Sequence, residues 1–124
     1  MKVRYVLGGV LALLTAPLVA GAGDRLTMRV SPVVAFAPAY VVVQTRVEAD
    51  ARNRSIEIIA ESGEFYRSSE IQLDGENAPR TTRFEFRGLP GGTYTVIAVL
   101  KGANAEPLAH TQREVNVVES LLAR

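Results

Sequence analysis

The stretch Phe84-Glu85-Phe86-Arg87-Gly88-Leu89-Pro90-Gly91-Gly92-Thr93-Tyr94-Thr95-Val96 carries more structural information than any other part of this chain. Phe84 and Phe86 alternate with Glu85 and Arg87, the period-two pattern of a strand with one buried face. Leu89-Pro90-Gly91-Gly92 then breaks the strand with residues suited to a tight corner. A second alternating strand leaves it, with Tyr94 near its start. In an antiparallel sandwich two strands of opposite sheets are joined this way, by a Tyr whose ring packs inside while its hydroxyl bonds back to nearby backbone. Leu89, Pro90, Gly91 and Tyr94 are therefore expected to form a structural corner, with Gly91 and Gly92 supplying positive φ.

Outward from the corner, short alternating runs separated by Gly, Pro, Asn and Asp recur at the spacing of an all-β domain. Leu26, Met28 and Val30 make a first strand that Pro32 stops. Pro32 and Pro38 bracket a stretch that cannot pair as a central strand, so it belongs at an edge or a sheet-switching bend. Val41 to Val47 and Ile56 to Ala60 alternate as the next two strands, and residues 65 to 73 are irregular enough to suggest a bulge or short strands. Thr81 to Arg87, Thr93 to Lys101 and Thr111 to Val118 complete the set, with Gly102 to Ala109 as a loop. The count is seven strands, an antiparallel sandwich.

The corner resembles that of fibronectin type III and other immunoglobulin-like domains, and the F-x-F-x-x-L-P-x-G-x-Y signature of carboxypeptidase regulatory-like (transthyretin-like) domains. The resemblance runs from Leu26 to Val118 and implies an immunoglobulin-like sandwich. Val96 stands where an antibody domain has Cys, and Ile56 and Ile58 fill the layer of its buried Trp. Both departures point to the disulfide-free branches. The transthyretin-like hydrolases end in Tyr-Arg-Gly-Ser, whereas Tyr66-Arg67-Ser68 here is internal and lacks the Gly, so that activity is not carried over.

The first 22 residues read as a signal peptide, expected as a helix: Lys2 and Arg4, an apolar core from Val6 to Val19, then Ala20-Gly21-Ala22 for cleavage. The apolar run is too short for a membrane span of about 20 residues, so membrane contact is expected only through an uncleaved signal. The domain is then residues 23–118 with a tail at 119–124, and the protein is exported, periplasmic or extracellular. Losing Lys2 and Arg4 leaves twelve basic against thirteen acidic side chains, which gives no electrostatic case for nucleic acid. With no Cys, packing alone must hold the fold.

Few residues offer chemistry. His110 is the only histidine and has no neighbouring nucleophile or acid in sequence, and one His with no Cys makes no zinc site. Gly91-Gly92 lacks the Lys-Ser/Thr and helix of a phosphate loop. Asp74-Gly75-Glu76-Asn77 departs from the EF-hand spacing, and Arg52, Arg54 and Arg67 are expected to pair with Glu57, Glu61, Glu64 or Glu70. Asn53-Arg54-Ser55 matches a glycosylation sequon. No catalytic residue, metal or cofactor is expected, and no enzymatic activity.

One face is mispatterned. With Tyr94, Val96, Ala98 and Leu100 inward, Thr95, Ile97 and Val99 point outward, and Ile59 does so on a neighbouring strand. Antiparallel sheets ordinarily put polar residues there. Ile59, Thr95, Ile97 and Val99 are the candidate interface, for a protein or a surface glycan. The competing account is scattered apolar surface, or cover by the tail through Leu121 and Leu122. The alternative function is an accessory domain binding carbohydrate, through Tyr40, Phe65 and Tyr66, or calcium weakly.

Overall fold

The computed structural model describes residues 25–119. The signal peptide, the cleavage site and the tail residues Leu121 and Leu122 lie outside them. Among the described residues the fold is all-β, in two sheets, with one 3-10 turn at Gly75–Asn77. The strands are β1 (Leu26–Ser31), β2 (Val34–Phe36), β3 (Ala39–Val47), β4 (Ser55–Ser62), β5 (Phe65–Gln72), β6 (Thr81–Leu89), β7 (Gly92–Lys101) and β8 (Pro107–Val118). One sheet has the order β1-β3-β6 and the other β2-β8-β7-β4-β5. The alternation read from sequence decides what lies between them. Leu26, Val41, Val43, Phe84 and Phe86 face Ile56, Ile58, Val96, Leu100 and Val115, all buried in one core.

Eight strands replace the expected seven, and not all pairs are antiparallel. Pro32 ends β1 because it has no N–H to give the ladder, and the chain then changes sheets. β2 runs parallel to β8, pairing Val34 with Asn116 and Phe36 with Val118. The Pro-bracketed stretch is thus an edge strand and a sheet switch at once. The loop from Gly102 is also shorter than expected, since β8 already begins at Pro107. His110 therefore sits within that strand, exposed.

No bulge interrupts β5. It pairs with β4 in unbroken register from Phe65–Ser62 to Gln72–Ser55. Its alternation is lost for another reason: the opposing sheet has only three strands, so β5 has almost no layer to pack against and is exposed at most positions. Phe65 and Ile71 reach the core from this strand, Phe65 edge-on, with its ring centroid 5.6 Å from that of Tyr94. Arg67 lies over the Phe65 ring and donates to the Arg87 carbonyl across the sandwich, at 2.7 Å.

The corner between β6 and β7 is built as expected in all but one detail. Leu89 is buried, Tyr94 is fully buried, and the Tyr94 hydroxyl donates to the Pro90 carbonyl oxygen at 2.6 Å. The positive φ angles belong to Gly88 (71°) and Gly92 (153°), not to Gly91. Gly91 instead donates its N–H to the Glu119 carboxylate at 3.2 Å, and a Cβ there would displace the end of that exposed side chain.

Candidate functional site

The outer face of the five-stranded sheet brings the four sequence-selected residues together. Ile59 on β4 stands directly opposite Ile97 on β7, Thr95 opposite Glu61, and Val99 opposite Glu57. On the other side of β7, Thr95 meets Glu114, Ile97 meets Gln112 and Val99 meets His110. An apolar middle row therefore lies between two rows that carry carboxylates. Ile59, Thr95, Ile97 and Val99 are all half-buried, because neighbouring side chains on a flat sheet shield one another.

Electrostatics organises the lower row. Glu57 and Glu70 are cross-strand neighbours of like charge, an arrangement that is destabilising alone. Lys101 relieves it, with its Nζ 2.7 Å from Glu57 and 3.8 Å from Glu70. Its pKa is raised, chiefly by the hydrogen bond to Glu57. The expected arginine pairings are different in the structure. Arg52 pairs with Asp50 at 2.9 Å, and Arg54 donates to the Ala51 and Asn53 carbonyls. These contacts stabilise the β3–β4 connection. They do not reach the sheet carboxylates, because Arg52 and Arg54 sit in the turn.

Sequence reasoning missed the most exposed apolar part of this face. Val34 and Phe36 on β2, with Val118 beside them on β8, are 61%, 70% and 40% exposed. Phe36 is the register partner of Val118, and Val34 that of Asn116, which places all three on the outer side with Thr95 and Ile97. The signal was present in Val33-Val34-Ala35-Phe36. A strand of three residues is too short for alternation to reveal its face, and its membership of this sheet follows only from the switch.

The other candidate residues do not converge. Tyr40 lies on the outer side of the three-stranded sheet with the Arg87 guanidinium 5.1 Å from its ring centroid. Phe65 points inward and Tyr66 outward from the edge strand, so the three aromatics form no platform. Asp74 to Asn77 surround the 3-10 turn, where Gly75 takes a φ of 52°. Among the described residues, no group of three or more His, Cys, Asp or Glu is placed to hold a metal ion.

No family model matches the chain, and no curated protein matches it. Among solved structures it is similar to superoxide reductase (neelaredoxin) from Ignicoccus hospitalis, with 14% identity, 75% of this chain and 80% of that chain covered, and a TM-score of 0.54. It is also similar to a family 76 glycoside hydrolase from a bovine Bacteroides thetaiotaomicron strain, at 20% identity and a TM-score of 0.55, over 77% of this chain but 21% of that one. A CARDB domain from Pyrococcus furiosus aligns over 77% of this chain and 94% of that one, at 18% identity and a TM-score of 0.49. At these identities the likeness to the first two shows an all-β sandwich fold and no activity.

These neighbours correct one expectation. The absence of enzymatic activity was expected from the fold and from the lack of a catalytic motif. Superoxide reductase is an enzyme built on a similar fold, so a sandwich of this kind is no ground for excluding catalysis.

Proposed function

We propose that this chain is an exported interaction module of the immunoglobulin-like kind, and that its contact surface is the outer face of the five-stranded sheet. The observation that carries this reading is the apolar surface on that face. It comprises two patches, the half-buried Ile59, Ile97 and Val99 and the exposed Val34, Phe36 and Val118, with Thr95, Glu114 and Asn116 between them. Large apolar side chains exposed together, as Val34, Phe36 and Val118 are, often mark a contact site. The strand order, with β2 switched to the edge of the larger sheet, supports the immunoglobulin-like assignment. The partner class is a protein whose surface complements an apolar centre within an acidic rim.

Export is tested by mass spectrometry of the mature protein, whose N-terminus should be Gly23. The contact surface is tested by a photo-crosslinking residue placed in turn at Phe36, Ile97 and Asn104. Adducts are expected from the first two positions and not from the loop control. Equal labelling at Asn104, or none at Phe36 and Ile97, overturns the reading.

A further inference from the structure

The two outer faces of the sandwich carry opposite charge. On the five-stranded sheet the outward positions hold Glu57, Glu61, Glu70 and Glu114 against Lys101 alone, three negative charges in excess. On the three-stranded sheet they hold Arg29, Arg46, Arg83 and Arg87 against Glu85 alone, three positive charges in excess. Glu85 is already shared between Arg83 at 3.3 Å and Arg87 at 3.0 Å. Among the described residues Arg29 and Arg46 have no ion pair. The chain as a whole is close to neutral, so copies do not repel one another at long range.

The layout of the two faces is also complementary. The acidic face has Ile59 opposite Ile97, with Glu61 and Glu114 on one side and Glu57 and Glu70 on the other. The basic face has Val42, half-buried, and Tyr40, 45% exposed, between Arg83 and Arg46 on one side and Arg87 on the other. Each presents an apolar centre flanked by an excess of charge of one sign, with Lys101 beside Glu57 and Glu70 on the acidic face and Glu85 opposite Val42 on the basic one.

We infer that the partner of the acidic face is the basic face of a second copy of this chain. This rests on the interaction-surface reading above and names its occupant. The faces lie on opposite sides of the sandwich, so the contact is heterologous: each copy keeps one free face of each sign, and the association extends as a stack. A three-stranded face is on the order of 14 Å by 24 Å, or ~340 Å². A standard stable complex buries about 800 Å² per partner. The stack is therefore weak, and charge makes it salt-dependent, with a Debye length of about 10 Å at 0.1 M.

Sedimentation of the exported protein tests this. At low ionic strength the weight-average mass should rise with concentration, and about 0.5 M salt should return it to the monomer. Arg29→Glu with Arg83→Glu should abolish the rise, as should Glu61→Lys with Glu114→Lys. An equimolar mixture of these two variants should associate again, because each supplies the face the other lacks; that rescue also shows both are folded. Association that survives the arginine reversal overturns the inference, since it requires contact between like faces. A wild-type chain that stays monomeric at low salt overturns it too. In that case crosslinks from Ile97 to a different protein would leave the interaction-surface reading standing, and their absence would remove both.

Discussion

Tyr94 and Pro90 are joined across four residues by a 2.6 Å hydrogen bond from the phenolic hydroxyl to the Pro90 carbonyl oxygen. The bond locks the chain where it passes from the three-stranded to the five-stranded sheet. It also satisfies a hydroxyl whose ring is fully buried, which an apolar environment otherwise penalises.

Removing only that hydroxyl, as Tyr94→Phe, should cost about 1 kcal/mol and keep the fold. Tyr94→Ala adds a cavity under Phe65 and should cost about 3–5 kcal/mol. Urea unfolding of both variants checks this. A Phe variant as stable as the parent would mean the bond contributes nothing.

The same burial raises the Tyr94 pKa above its ordinary value of 10.0, with desolvation the largest cause. A group whose folded pKa is raised contributes stability that is complete below the unfolded value. That contribution is lost as pH climbs through the folded one. The parent should therefore lose stability above about pH 10 faster than Tyr94→Phe does. Parallel melting curves for the two proteins across alkaline pH would expose a contrary result.

Gly92 and Gly88 separate two reasons for glycine at this corner. Both have positive φ, but a Cβ on Gly92 would lie 2.6 Å from the Ser62 hydroxyl oxygen, whereas around Gly88 the space is open. Gly88→Ala should cost about 1–2 kcal/mol, for backbone conformation alone. Gly92→Ala should cost more, about 2–4 kcal/mol, since displacement of Ser62 adds to the strain. Equal costs from chemical denaturation would refute the steric part.

Ile97 and Val99 are half-buried on the outer face, so replacing both with Thr should lower stability by only about 1–2 kcal/mol. Thr remains well suited to a strand. The double variant should lose association while melting cooperatively. A loss as large as that of Tyr94→Ala would instead mark these residues as core.

Much of the fold was legible because period-two alternation is a local property. Val41, Val43 and Val47, and Ile56, Ile58 and Ala60, fall on one parity of their strands by spacing alone, and each is buried. The corner was legible for the same reason, since Leu89, Pro90, Gly92 and Tyr94 lie within six positions of one another and their chemistry permits few geometries. The irregularity of residues 65–73 misled, because it came from the missing layer opposite β5 and not from the strand itself.

What the chain determined by itself is which residues alternate, where strands stop, and which side of β7 is apolar against expectation. Only the tertiary structure decided which strands share a sheet. The switch between Pro32 and Pro38 moves β2 to the larger sheet and adds Phe36 and Val34 to the face of Ile97. Pairing likewise gathered four arginines on one outer face and four glutamates on the other. Charges far apart in sequence become neighbours only through register, and register is set by long-range burial that no local pattern encodes.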